Sequence, residues 1–222
     1  MKKTLLNIDI VSDVVCPWCI IGYKYLEKAM AETADQVSFQ LRWQPFELNP
    51  NMGAEGQNLR EHLAEKYGTT LEGSIAARAR ITDLGARLGF TFDYTDDMRI
   101  YNTFKAHQLL HWAGELGKQT PLKMALFSAY FSLGRNLGEE DVLLDCVEKA
   151  GLPREQAKSL LAEGRYREVV RQRAHSWLDR GIRGVPAVIF QDQYLVSGAQ
   201  ETSAFRKVIA RLLEQSPAQV EG

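Results

Sequence analysis

The period of the hydrophobic positions changes five times along this chain. Leu6, Ile8 and Ile10 alternate with Asn7 and Asp9, which predicts a strand over Leu5 to Val11. After a loop at Ser12 to Val15 the period lengthens. Cys19, Tyr23, Leu26 and Met30 recur at helical spacing with Ala29 beside them, so a helix is expected from Pro17 to Glu32. Pro17 suits its first turn, where a missing N–H costs nothing. Val37, Phe39, Leu41 and Trp43 then alternate with Ser38, Gln40, Arg42 and Gln44, a one-sided strand suited to a sheet edge. Strand, helix and strand within about 40 residues form a βαβ unit with an expected right-handed crossover.

From Asn58 to Gly181 the pattern is read as helical. Successive stripes are Ala77, Ile81, Leu84 and Leu88; Asn102, Ala106, Leu109, Ala113 and Leu116; Leu122, Leu126, Ala129, Tyr130 and Leu133; and Leu143, Cys146, Val147 and Ala150. A last helix carries Val170, Ala174, Trp177 and Leu178 and stops at Gly181. Period two then returns at Ala187 to Phe190 and Tyr194 to Val196, joined as a hairpin. Phe205, Val208, Ile209, Leu212 and Leu213 mark a final helix, and Ser216 to Gly222 is a polar tail expected to fray. The order predicts an α/β domain from residues 1–52 and 182–222, interrupted by an inserted all-helical domain at 53–181. The cleft between them is the expected binding site.

Charge narrows the function. The 222 residues hold 27 Lys+Arg and 28 Asp+Glu, a net charge of -1, which argues against a nucleic-acid partner. No apolar run approaches the roughly 18 residues of a membrane span, so no membrane partner is expected. The start Met1-Lys2-Lys3 is followed by Asn7 and Asp9 rather than a pure apolar stretch, which reads as a strand and predicts a cytoplasmic protein.

Three cysteines are too few for a disulfide scaffold, yet two of them form Cys16-Pro17-Trp18-Cys19. In a reducing compartment that spacing is catalytic or metal-binding more often than structural. Zinc needs four ligands and no second C-x-x-C exists, so no metal is expected, although His107 and His111 share a helix face. At a helix start Cys16 should be exposed and its thiolate stabilised, with Cys19 turned inward to resolve a mixed disulfide. Gly184-Val185-Pro186 stands just before the third strand, where proline is allowed.

Together these residues resemble the thioredoxin superfamily in its DsbA-like branch, and within it the FrnE-type protein dithiol–disulfide isomerases. That group is related to 2-hydroxychromene-2-carboxylate isomerase and the kappa-class glutathione transferases. The resemblance rests on Ser12 to Cys19, Asn102 to His107, Gly184 to Ala187 and Ser197 to Gln200, and covers nearly the whole chain. It implies a thioredoxin fold (βαβ…ββα) with a large helical insertion. It implies Cys16 as nucleophile, Cys19 as resolving thiol and Pro186 in cis beside them. Val185 would pair with an extended substrate, and Gly198, Ala199 and Gln200, at the start of the last helix, would meet its anionic end. Asn49 is a further candidate for that ligand, and Pro17 and Trp18 for substrate contact. No cofactor is required; glutathione is a candidate co-substrate, and a cytoplasmic thiol a candidate reductant.

The expected activity is thiol–disulfide exchange on a protein or small-molecule disulfide. A glutathione-dependent isomerase or transferase is the alternative, disfavoured because those relatives place Ser where Cys16 stands. A redox-sensing or chaperone-like client-binding protein is another. Among the remaining residues, Cys146 reads as buried and inert. Asp13 is placed either to tune Cys16 or to cap its loop, and Asn102 and His107 either to face the cleft or to pack. Arg165, Arg167, Arg171, Arg173, Arg180 and Arg183 read mostly as a solvated face.

Overall fold

The computed structural model describes residues 3–215; the polar tail from Ser216 lies outside the described residues. Four strands make the main sheet in the order β2-β1-β5-β6. β1 (Thr4–Ser12) pairs parallel with β2 (Val37–Pro45), and the helix α1 (Pro17–Glu32) connects them. β5 (Ala187–Phe190) pairs antiparallel with β1 and with β6 (Tyr194–Ser197). β1 is central and buried along most of its length. Its polar Asp9 is only 2% exposed. The neighbouring strand resolves that conflict: Arg42, its register partner, donates at 3.0 and 2.6 Å, and Gln44 donates at 2.6 Å. The β5–β6 turn places Gln191 and Asp192 at φ 52° and 54°, the left-handed geometry that matches strand twist in a hairpin.

Between β2 and β5 the chain forms α2 (Leu59–Tyr67), α3 (Leu71–Arg87), α4 (Phe104–Glu115), α5 (Gln119–Phe127), α6 (Glu140–Lys149), α7 (Arg154–Glu163) and α8 (Arg167–Asp179). This stretch is not all-helical. β3 (Gln57–Asn58) and β4 (Arg99–Ile100) form a two-stranded antiparallel ribbon. Two-residue strands are too short to show a period, and Asn58 doubles as the N-cap of α2, its side chain accepting from Arg60 and Glu61 N–H. Phe90, Phe92 and Tyr94 lie in an irregular segment where Phe92 stacks on Tyr94 and both meet Phe131 edge-on.

Helix stripes depart from expectation where helices end or change pitch. Leu116 follows the end of α4 and is 47% exposed. Leu133 follows a π-helical turn, Ser128–Ser132, whose wider pitch rotates it out to 63% exposure while Tyr130 and Phe131 face inward. The last helix, α9, spans Thr202–Gln215, so Gly198 to Gln200 belong to the preceding loop rather than to its start.

One hydrophobic core joins Leu6, Ile8 and Ile10 of β1 to Leu26 of α1, Leu109 of α4 and Phe127 of α5. A smaller cluster on the other sheet face holds Val11, Phe46, Trp177 and Ile189 and seats α8. No helix of the described residues is long and apolar enough to cross a membrane.

Candidate active site

The turn from β1 into α1 carries the dithiol. Cys16 is the N-cap of α1 in extended backbone, and Pro17 opens the first turn. Three residues on, Cys19 points into the core with no exposure, as its place in the apolar stripe predicts. Both thiols are free. Cys16 departs from expectation, because it is only 4% exposed. The α2–α3 pair and the π turn arch over it, enclosing a cavity of about 400 Å³. Cys16, Pro17, Trp18, Val185 and Asn49 line that cavity, and Cys19 does not.

The Val185–Pro186 peptide is cis. Cys16 Sγ donates to the Val185 carbonyl at 3.7 Å. Pro186 is buried against α1, where a Cβ added to Gly22 would meet Pro186 Cγ at 3.2 Å and Ala199 Cα at 3.3 Å. A side chain at position 22 would therefore crowd the junction. Gly198, Ala199 and Gln200 do not line the Cys16 cavity. The Gly198 N–H is taken by the Pro186 carbonyl at 2.8 Å, so it is not free for a ligand. Asn49 is also engaged, its side-chain oxygen accepting from Lys66 at 2.7 Å. Trp18 is half-buried, with the Arg80 guanidinium 5.7 Å from its ring centroid.

Behind the thiols lies a buried charged group. Asp13 is fully buried. Its carboxylate accepts from Val14 N–H at 2.7 Å and Leu48 N–H at 2.8 Å, and lies 3.3 Å from His107 Nε2. Burial pushes this carboxyl up, but His107, the Leu48 N–H and Lys123 outweigh it, so the net shift is downward. Asp13 is thus both a loop cap and a fixed charge. His107 faces it rather than the cavity. Asn102 precedes Thr103, the N-cap of α4, and its side-chain oxygen accepts from Phe104 N–H at 2.9 Å.

Lys123, which sequence reasoning missed, is 1% exposed, with its ammonium 5.2 Å from the Trp43 ring centroid and 5.0 Å from that of Phe127. Burial pushes its pKa down to about 8, against the pull of Cys19, Asp13 and Cys16. The available signal was a lone lysine in the apolar run Pro121 to Phe127.

These neighbours reverse the expected ionisation of the closed dithiol. The hydrogen bond to Cys19, burial, the Cys19 charge and Asp13 hold the Cys16 thiol well above its ordinary value. The Cys19 N–H at the helix start does favour a Cys16 thiolate, but it is outweighed. Burial also opposes ionisation of Cys19, yet the neighbouring Cys16 thiol, the Lys123 charge and the Asp13 backbone turn its net shift downward. The pair therefore titrates as a unit, and a charge on one sulfur opposes ionisation of the other.

The third cysteine lies apart. Cys146 is 3% exposed, donates to the Ala125 carbonyl at 3.7 Å, and burial pushes its pKa up to about 11. Among the arginines, Arg165 pairs with Glu163, and Arg171 and Arg180 lie over the Phe104 and Trp177 rings.

Residues 7–210 match one family model, the DSBA-like thioredoxin domain. The chain belongs to that family. A Bacillus subtilis (strain 168) protein, described as the uncharacterized protein YwbO, is 26% identical over 206 residues, which cover 92% of this chain and 96% of that one. The crystal structure of a "probable DsbA oxidoreductase", SCO1869 from Streptomyces coelicolor, superposes with a TM-score of 0.87 at 29% identity, covering 97% of this chain and 94% of the other. The cytosolic disulfide reductase DsbM from Pseudomonas aeruginosa, in a structure with GSH, shares the fold at 16% identity. Its TM-score is 0.64, over 94% of this chain and 99% of the other.

Proposed function

We propose that this chain is a thiol–disulfide oxidoreductase of the FrnE type that cycles Cys16 and Cys19 between dithiol and disulfide. The observation that carries the reading is that Cys16 is the thiol facing the cavity, next to the Val185 carbonyl, with Cys19 behind it. When substrate enters, the proton shared by the pair passes to Cys19 and leaves the charge on Cys16. The Cys16 sulfur attacks one sulfur of the substrate disulfide, that S–S bond breaks, and one half departs as a thiolate. Cys19 gives that proton to the departing thiolate, its own charge favoured by Lys123, then attacks the Cys16 sulfur of the mixed disulfide and releases the second half as a thiolate. The substrate gains two electrons and the protein loses two, giving a Cys16–Cys19 disulfide. Electrons flow the other way when the substrate is a dithiol.

The two sulfurs carry the electrons, so the cycle needs no bound cofactor. Glutathione is the candidate low-molecular thiol for returning the disulfide to dithiol, since a protein of this fold has been observed with GSH. The cytosolic setting of that protein supports a cytoplasmic place for this one.

The test is titration in glutathione redox buffers, counting free thiols by alkylation. A reversible two-electron transition that disappears in Cys16→Ser is expected, and Cys19→Ser should accumulate a Cys16 mixed disulfide. A midpoint near thioredoxin's, about -270 mV, marks a reductase, and one near about -120 mV an oxidant. Absence of any transition overturns the proposal.

A further inference from the structure

The cavity beside Cys16 has an apolar body and one polar wall. Trp18, Leu63, Ile81, Tyr94, Tyr130 and Phe131 supply the apolar part. The polar part comes from α2 and α3: His62, Ser74 and Arg78 line the same cavity. Four buried side-chain atoms on these three residues have no hydrogen-bond partner, namely His62 Nε2, Ser74 Oγ, Arg78 Nε and Arg78 Nη2. Only seven such atoms occur among the described residues. Buried polar groups are normally paired, so a cluster of orphans around one space points to an absent partner.

The partner's chemistry follows from the donors. Arg78 Nη1 donates to the Thr95 carbonyl at 3.3 Å, and the guanidinium carbon lies 5.6 Å from the Tyr94 ring centroid. The remaining edge, Nε and Nη2, is the fork that a carboxylate meets with two parallel hydrogen bonds. Ser74 stands one helical turn before Arg78 on α3, where its hydroxyl can serve the same anion. His62 Nδ1 donates to Gln57 Oε1 at 2.8 Å, which leaves Nε2 as an acceptor toward the cavity, suited to an N–H or O–H of the ligand rather than to its carboxylate.

We propose that the substrate is a small disulfide with an aromatic or otherwise apolar body and a carboxylate, the carboxylate bound by Arg78 while its sulfur meets Cys16. The inference rests on the oxidoreductase reading and names its substrate class. A cavity of about 400 Å³ suits a small molecule, and Cys16 at 4% exposure is closed to a disulfide embedded in a folded protein. In the reaction Cys16 displaces one half of the molecule as a thiolate and Cys19 displaces the other. Two electrons pass from the dithiol to the substrate, and a low-molecular thiol returns them to the protein.

The test compares two aromatic disulfides that differ in charge: the disulfide of thionitrobenzoate, with a carboxylate on each ring, and neutral dithiodipyridine. Both release a coloured thiol when reduced protein attacks. Arg78→Met should slow the carboxylate probe about tenfold, the scale of a lost charged hydrogen bond, and leave dithiodipyridine within about twofold. Equal rates before and after substitution, or equal losses with both probes, overturn the inference. A second measurement needs no variant: naphthoate should protect Cys16 from iodoacetamide in the wild-type protein and naphthamide should not. Protection by neither, or by both alike, overturns it as well. If Cys16 reacts with neither disulfide, the oxidoreductase reading itself fails. If both react but Arg78 is indifferent, only the substrate class fails.

Discussion

Replacing Asp13 with Asn keeps the shape of the side chain and removes its charge. In the wild type the two carboxylate oxygens serve different backbone donors, Val14 N–H at 2.7 Å and Leu48 N–H at 2.8 Å, in a site with no solvent exposure. Asparagine has one carbonyl oxygen, so one of these N–H groups must face an NH₂. A buried hydrogen bond to a charged group contributes about 1.5–3 kcal/mol, and an orphaned buried donor costs about 1–3 kcal/mol. The contact with His107 changes too. The expected loss is about 2–4 kcal/mol at pH 7. With a urea m-value of about 2 kcal/mol/M, this moves the unfolding midpoint down by about 1–2 M. The pH dependence supplies the sharper check. The folded-state carboxyl titrates below its ordinary 3.8, so its contribution is fully present above that value and fades as pH falls through the folded pKa. The gap between wild type and Asp13→Asn should therefore close on acidification. Equal midpoints at pH 7, or a gap that persists undiminished at low pH, would refute the account of Asp13 as a paired buried carboxylate.

Other expectations concern the surroundings of the dithiol. Lys123→Met should raise the pH of the pair's first ionisation, read as thiolate absorbance, because Lys123 favours the Cys19 anion; an unchanged titration counts against that role. Glu47 is pushed up to about 7, chiefly by burial and then by the Asp13 charge. A carboxyl that binds its proton more tightly when folded costs stability as pH rises from about 4.5 to 7, and Glu47→Gln should remove that downward slope in urea midpoints. Gly85→Ala should destabilise despite its gain of about 1 kcal/mol in helix propensity. Its Cβ would meet the Phe92 ring and stand 2.7 Å from the Phe90 carbonyl oxygen, and overpacking of this kind costs about 1–3 kcal/mol. Thermal melting that shows a stabilised variant would contradict the close packing of that segment, whose Phe92 meets Phe131 of the cavity wall edge-on.

The elements that build the sheet were legible locally. α1 and most of β2 bury residues at the period their own sequence displays, β1 and β5 are short apolar-rich runs buried almost throughout, and Pro17 and Gly181 mark helix limits with backbone chemistry of their own. The dithiol was legible for the same reason: Cys16 and Cys19 are three residues apart, and one helical turn brings them together. The β3–β4 ribbon was not, since its two strands lie some 40 residues apart and neither is long enough to alternate.

Position in the chain determined which residues meet along a strand or within a turn of helix, and with it the thioredoxin-like framework and the thiol pair. Tertiary structure decided how exposed and how charged that pair is. Cys16 is covered because α2, α3 and the π turn close over it, and the Cys19 anion is favoured by the Cys16 thiol and by Lys123, which is more than 100 residues away in sequence. Arg78, Ser74 and His62 gain meaning only where packing removes water from atoms that remain unpaired. Desolvation and Coulomb interaction depend on distance through space and on the medium between, and neither quantity is written in the spacing of residues along a chain.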